Sequence, residues 1–262
     1  VRVLLLGSSN DTGSWVRQTE KKHVLAGERL EAELGEPVEW VVKGVWPTAE
    51  LPGLVERWVE ESQPDLVYVN TGSYWFLYRS VPLRVERLLG RVGGERLGDA
   101  GARVAKSKRW AYNAPFRFTR RVLQATIGGD TNFTTQQVID RMSDCVRIAA
   151  RAEGAVVVVK GPHGKARLSA RKRAFERDER ERLKLHKALE DLCAELHVTY
   201  DGVGEGGVRN QPAFLGGTTV GDGLHANEVR HVHEADVLYQ GIRAGIVAAG
   251  RLGPAASGHQ AT

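Results

Sequence analysis

The stretch Arg2-Val3-Leu4-Leu5-Leu6-Gly7-Ser8-Ser9-Asn10 decides the fold. Four apolar residues in a row, closed by a glycine and two serines, read as a strand buried on both faces that stops at a turn. The pattern repeats downstream. A helix is expected over Trp15 to Leu34, with Val24, Leu25, Leu30 and Leu34 on its apolar side and Gly35 at its end. Val38 to Lys43 reads as a second strand, followed by Gly44. Leu51 to Glu61 is a helix, and Leu66 to Val69 is a third strand set off by Pro64-Asp65. Farther on, a helix spans Thr134 to Ala152, capped by Thr134 or Thr135. Ala155 to Lys160 is a fourth strand, Ala170 to Leu196 a long helix, Val198 to Asp201 a short fifth strand, and His225 to Ala249 a closing helix. Continuously apolar strands that alternate with helices predict a parallel sheet covered on both faces. The expected class is α/β: a three-layer α/β/α sandwich around a central, mainly parallel five-stranded sheet. One domain covers 1–250, with a lid-like insertion at about 76–133 and a flexible tail over 251–262.

The 262 residues are 42% hydrophobic and 26% charged, enough to bury one sizeable core. No run approaches the ~18 to 20 consecutive apolar residues of a membrane span, so no membrane partner is expected. No charged leader precedes the first apolar run, so no signal peptide is expected. Cys145 and Cys193 lack metal-ligand spacing and fall in amphipathic helices. Two buried, reduced thiols and a cytoplasmic setting follow. The net charge of +5 is uneven. Arg103, Lys106, Lys108, Arg109, Arg117, Arg120 and Arg121 cluster without an intervening acid, among Trp110, Tyr112, Phe116 and Phe118. Such a mixture binds nucleic acid or an anionic small molecule. No nucleic-acid fold motif accompanies it, and nucleic acid is the poorer reading. The second basic stretch, Lys165 to Lys187, is broken by Glu176, Asp178, Glu179 and Glu181 and reads as a solvated helix of alternating sign.

Open parallel sheets hold their ligands outside the carboxyl ends of the strands. Gly7-Ser8-Ser9-Asn10 follows the first strand there, Gly44 the second, Asn70 and Gly72-Ser73-Tyr74 the third. Gly221-Asp222-Gly223-Leu224-His225 precedes the closing helix. A hydroxyl, backbone amides, a carboxylate and an imidazole converge, which are the parts acyl transfer needs. Ser9 is a weak nucleophile until a base takes its proton, and His225 suits that task near neutral pH. Asp222, three residues before His225, can fix the imidazole tautomer. The Ser9 and Gly44 backbone N–H groups can receive the oxyanion, with a side chain after the third strand as a further donor. Ser8, Asn10, Trp75 and His163 lie on the same edge and are candidate substrate contacts. His225, His231 and His233 do not form a metal set, because positions 231 and 233 face different sides of a helix. No metal and no cofactor are expected.

In their order along the chain these blocks resemble the SGNH (GDSL-type) hydrolase family. Gly7-Ser8-Ser9 is similar to its Gly-Asp-Ser block, with Ser8 in place of Asp. Lys43-Gly44 matches the second block, and Asp222-Gly-Leu-His225-Ala-Asn the last. Gln63-Pro-Asp-Leu-Val-Tyr-Val-Asn70 stands at the expected place between them. The resemblance covers Val1 to about Ser73 and about Gly154 to Ala249. It implies a flavodoxin-like fold and a serine esterase of the kind that includes deacetylases, with Ser9, His225 and Asp222 as the triad. The substrate it implies is a small acyl ester, of glycan-like or other small-molecule type. The basic, aromatic insertion suggests an anionic one. The third block departs from the family. Tyr74 stands where an oxyanion-binding Asn is usual, and Asn70 lies at the strand end. Either side chain can serve as donor, and loss of one such donor typically costs about two to three orders of magnitude in rate.

Each feature has a plainer reading. Ser8 and Ser9 can simply satisfy turn backbone, and Asp222 can cap the closing helix. The rival functions are a non-catalytic ligand-binding protein on this scaffold and an acyltransferase using the same residues.

Overall fold

The computed structural model describes residues 1–80, 128–162, 172–202 and 225–252, with short pieces between 83 and 126. Among the described residues the five strands are β1 (Arg2–Gly7), β2 (Glu39–Gly44), β3 (Leu66–Asn70), β4 (Val156–Lys160) and β5 (Thr199–Asp201). They lie in the order β2-β1-β3-β4-β5 and every pairing is parallel. The helices are α1 (Ser9–Thr12), α2 (Lys22–Leu34), α3 (Leu51–Ser62), α4 (Tyr74–Leu77), α5 (Thr135–Ala150), α6 (Lys172–Glu195) and α7 (Glu228–Ala248).

Side chains alternate between the two faces of the sheet, which builds two cores. Leu4, Leu6, Val67, Val69, Val157 and Val159 face α3, α5 and α6. Val3, Leu5, Leu66, Tyr68, Val156 and Val158 face α2 and α7. The unbroken valine run of β4 is thus buried on both sides, as the sequence requires. Helix α7 approaches the sheet closely because Gly245 carries no side chain. A Cβ there would stand 2.4 Å from the Val158 Cγ2. The strand order reverses between β1 and β3, the point of such a sheet outside whose carboxyl edge ligands are expected.

Helix boundaries follow their caps. The Thr134 hydroxyl accepts the Gln137 N–H at 3.1 Å, and the Gln137 amide oxygen accepts the Thr134 N–H at 2.9 Å. This reciprocal pair starts α5. Thr134→Ala is expected to cost about 1 kcal/mol in a urea unfolding titration, with an unchanged slope.

Several expected bounds shift. The helix expected from Trp15 begins only at Lys22, because Gln18–Glu20 forms a separate 3-10 turn and Lys21 is extended. The helix expected from His225 begins at Glu228, where the Asn227 side chain accepts the Arg230 N–H at 3.2 Å. Asn227 therefore holds the capping position considered for Asp222. The insertion is narrower at its root than expected. Trp75, Phe76 and Leu77 are core residues, and Ser80 and Asp130 exchange backbone hydrogen bonds of 2.8 and 3.1 Å. Helix α6 is not simply solvated. Its Arg182 is fully buried, and the guanidinium donates to both Glu179 carboxylate oxygens, at 2.9 and 2.6 Å. Both cysteines are buried, and burial pushes each thiol up to about 12. The tail from residue 253 lies outside the described residues.

Candidate active site

The turn that carries Ser9 is built by Ser8. Its hydroxyl accepts the Asn10 N–H at 3.3 Å, and its carbonyl accepts the Asp11 N–H at 2.9 Å. The Asp11 carboxylate folds back to accept the Ser8 N–H at 2.6 Å and the Ser8 hydroxyl at 3.2 Å. Asp11 fits there because residue 7 is glycine. A Cβ on Gly7 would lie 2.6 Å from the Asp11 side chain. The turn thereby presents Ser9 to solvent as the first residue of α1. A first-turn N–H has no partner within its own helix, so the Ser9 amide is available to an incoming oxygen.

His225 belongs to the opposite end of the chain, yet its segment docks on this turn. The Ala226 N–H donates to Asn10 Oδ1 at 3.1 Å. The Trp15 ring stacks on the His225 ring, with centroids 4.0 Å apart and 18° between planes. Gly44 is exposed and lies in register with Gly7, and Thr12 of α1 is the nearest side chain to it. Asn70 ends β3, is buried, and pairs in register with Lys160. Its Oδ1 meets no hydrogen-bond donor among the described residues. Tyr74 points outward, stacked on Tyr78 at 4.7 Å and 6.3 Å from the exposed ring of Trp46. Trp75, considered as a substrate contact, is instead buried at 2% exposure, because the short α4 turns it into the core. Asp222 and His163 lie outside the described residues, as does the basic cluster of 103–121 apart from Phe118.

Beneath the turn lies a buried ionic group that the sequence does not announce. Lys22 Nζ lies 2.9 Å from Asp11 Oδ1 and 3.1 Å from Glu234 Oε2, and Glu234 Oε1 accepts Arg230 Nε at 2.7 Å. Burial works against the Lys22 charge, but the Asp11 and Glu234 carboxylates outweigh it and hold its pKa above the usual lysine range. His231 is buried and accepts the Lys22 N–H on Nδ1 at 3.2 Å. Ser8-x-x-Asp11 carries a capping-box signature that could have exposed the first link. Nothing in the sequence connects Lys22 to Glu234, 212 positions away.

Burial also pushes His23 down to about 4, against the pull of the Asp11 carboxylate. The unfolded chain binds a proton at this residue below about pH 6.5, whereas the native state refuses it until about 4. Stability from this residue is therefore present above about 6.5 and lost as pH falls toward 4. In urea titrations across this window, His23→Gln is expected to lose less stability than the parent, the difference reaching about 2 kcal/mol.

No family model matches the chain, and no curated protein matches it. Solved structures do. TesA superposes with a TM-score of 0.56 at 14% identity, over 93% of this chain and 99% of that one. The psychrotrophic esterase EstA from Pseudoalteromonas sp. gives 0.53 at 12% identity, over 93% and 97% of the two chains. The chain has the SGNH hydrolase fold. The acetyl xylan esterase AlAXEase is similar as well, with a TM-score of 0.51 at 12% identity over 92% and 98%. Within the SGNH fold, the turn after β1 and the segment before α7 are the two pieces this structure brings together. Among the described residues, no three His, Cys, Asp or Glu side chains gather to hold a metal, and no helix is long and apolar enough to cross a membrane.

Proposed function

We propose that the chain is a serine ester hydrolase acting through an acyl-enzyme. One observation carries the reading. The segment bearing His225 is docked on the turn bearing Ser9 through the Ala226–Asn10 hydrogen bond and the Trp15–His225 stack. Esterases among the structures of similar fold support it. Ser9 Oγ bonds to the ester carbonyl carbon while its proton passes to His225. The oxyanion is received by the Ser9 and Gly44 N–H groups and by the Asn70 side chain. Collapse expels the alcohol, which leaves with the proton from His225. Water then repeats the sequence on the acyl-enzyme, releasing the acid and restoring Ser9. Asp222 orients the imidazole and stabilises its charged form. The exposed rings of Trp46 and Tyr74 beside Gly44 give the alcohol moiety a flat apolar surface with polar tips, which suits a small aromatic or glycan-like ester.

The test is turnover of p-nitrophenyl esters from acetate upward, together with mass spectrometry of the protein after a fluorophosphonate. Hydrolysis favouring the short acyl chains and a single adduct on Ser9 are expected. A protein that neither hydrolyses any of the series nor labels on Ser9 contradicts the reading.

A further inference from the structure

We propose that Lys22 is a positioning residue, whose ammonium fixes the Ser9 turn against the segment that bears His225. The proposal rests on the ester-hydrolase reading for its catalytic meaning, although the link itself is a matter of structure. Three separate stretches of chain meet at this one nitrogen. Asp11 comes from the nucleophile turn, Lys22 opens α2, and Glu234 lies in the second turn of α7. Their side chains are 0%, 7% and 12% exposed. Charges so removed from water are tolerated only when paired. With Arg230 on Glu234, two cations face two carboxylates and the group is neutral.

The group reaches the reacting atoms through short connections. The Asp11 oxygen that does not face Lys22 holds the Ser8 N–H, one residue from the nucleophile. Glu234 and His231, both on α7, are held by the Lys22 ammonium and the Lys22 N–H respectively. His225 precedes that helix by three residues. Glu234 and Asp11 cannot both approach one ammonium at about 3 Å unless α7 and the turn keep a fixed separation. In Lys22→Met, two carboxylates would face each other across an apolar side chain. Relief comes by protonation or by movement, and movement of Asp11 releases the Ser8 N–H.

A purely structural staple and a positioning residue differ in what a repaired variant does. Lys22→Met/Glu234→Gln removes the cation and one carboxylate together, so the repulsion between Asp11 and Glu234 is gone, but Asp11 keeps only its Ser8 partners and the link is not restored. We would measure kcat and KM on p-nitrophenyl acetate for the parent and this double variant. Alongside them we would follow hydrogen exchange at the Ala226 amide, which reports the docking of the two segments through Asn10. Exchange at Val158, in the core, serves as the reference for global stability. A folded double variant with kcat lowered about 100-fold, KM little changed, and Ala226 exchanging faster relative to Val158 supports the proposal, since misplacement by about 1 Å has that effect on rate. An Ala226/Val158 exchange ratio equal to the parent's overturns it, whatever the rate does. A parent inert on esters and unlabelled at Ser9 would sink the hydrolase reading instead, and the exchange ratio would still decide whether Lys22 makes the link.

Discussion

Replacing His225 with alanine is expected to remove about five to six orders of magnitude from kcat on a short-chain p-nitrophenyl ester, and Ser9→Ala to remove as much. The two groups act as a unit, since a hydroxyl without a base is barely nucleophilic and a base without a hydroxyl has no proton to take. The double variant should therefore be no slower than either single one. KM should change little, because neither side chain is asked to bind the ester before attack. Residual turnover would come from the oxyanion donors and from binding alone. Circular dichroism would confirm that the variants are folded, which is expected for Ser9, an exposed residue. A Ser9→Ala protein that keeps the parental kcat would reassign the nucleophile. Trp15 gives the same experiment a finer arm. Its ring lies on the His225 ring at 4.0 Å, so Trp15→Leu removes the flat surface on which the imidazole rests.

The second large effect concerns the departure from the usual third block. Asn70→Ala is expected to lower kcat about 100- to 1000-fold, while Tyr74→Phe stays near the parent. Asn70 is buried at the carboxyl end of β3, beside the strand that feeds the Ser9 turn, and its Oδ1 is not held by any described donor. Tyr74 faces outward against Tyr78 and Trp46. Steady-state kinetics on p-nitrophenyl acetate separates the two, since an oxyanion donor acts on kcat more than on KM. A large loss in Tyr74→Phe with none in Asn70→Ala would move the donor to the phenol.

The sheet was legible because its strands are apolar without interruption. Val3 to Leu6 and Val156 to Val159 leave no polar face, and only a strand covered on both sides suits them. That Ser9, Gly44 and Asn70 fall at one edge of the sheet was legible for the same reason, since turn residues follow such strands there. What periodicity does not carry was missed. Lys22 and His23 sit where a helical pattern predicts solvent or a simple start, and both are buried. Arg182 belongs to a stretch of alternating charge that reads as surface, and is the largest fully buried side chain among the described residues. The two cations, Lys22 and Arg182, are buried because specific partners compensate them. For Lys22 the partner is Glu234; for Arg182 it is Glu179 together with the carbonyl of Pro162. Local patterns hold no trace of a pairing across 212 positions. Trp75 and Tyr74 are adjacent and carry opposite fates, one in the core and one outside, because the four-residue α4 turns between them.

The placement of α7 has a consequence for biosynthesis. Chains emerge amino end first, at about 5–20 residues per second. A nascent chain that has reached Gly202 already contains all five strands, yet the sheet face formed by Val3, Leu5, Leu66, Tyr68, Val156 and Val158 still lacks half of its helical cover. For roughly the next several seconds that face is a sticky surface of the kind that chaperones capture. On the proposed mechanism, the same unfinished chain carries Ser9 without His225 and would leave esters untouched on the ribosome. Competence and solubility would arrive together, with the docking of one helix.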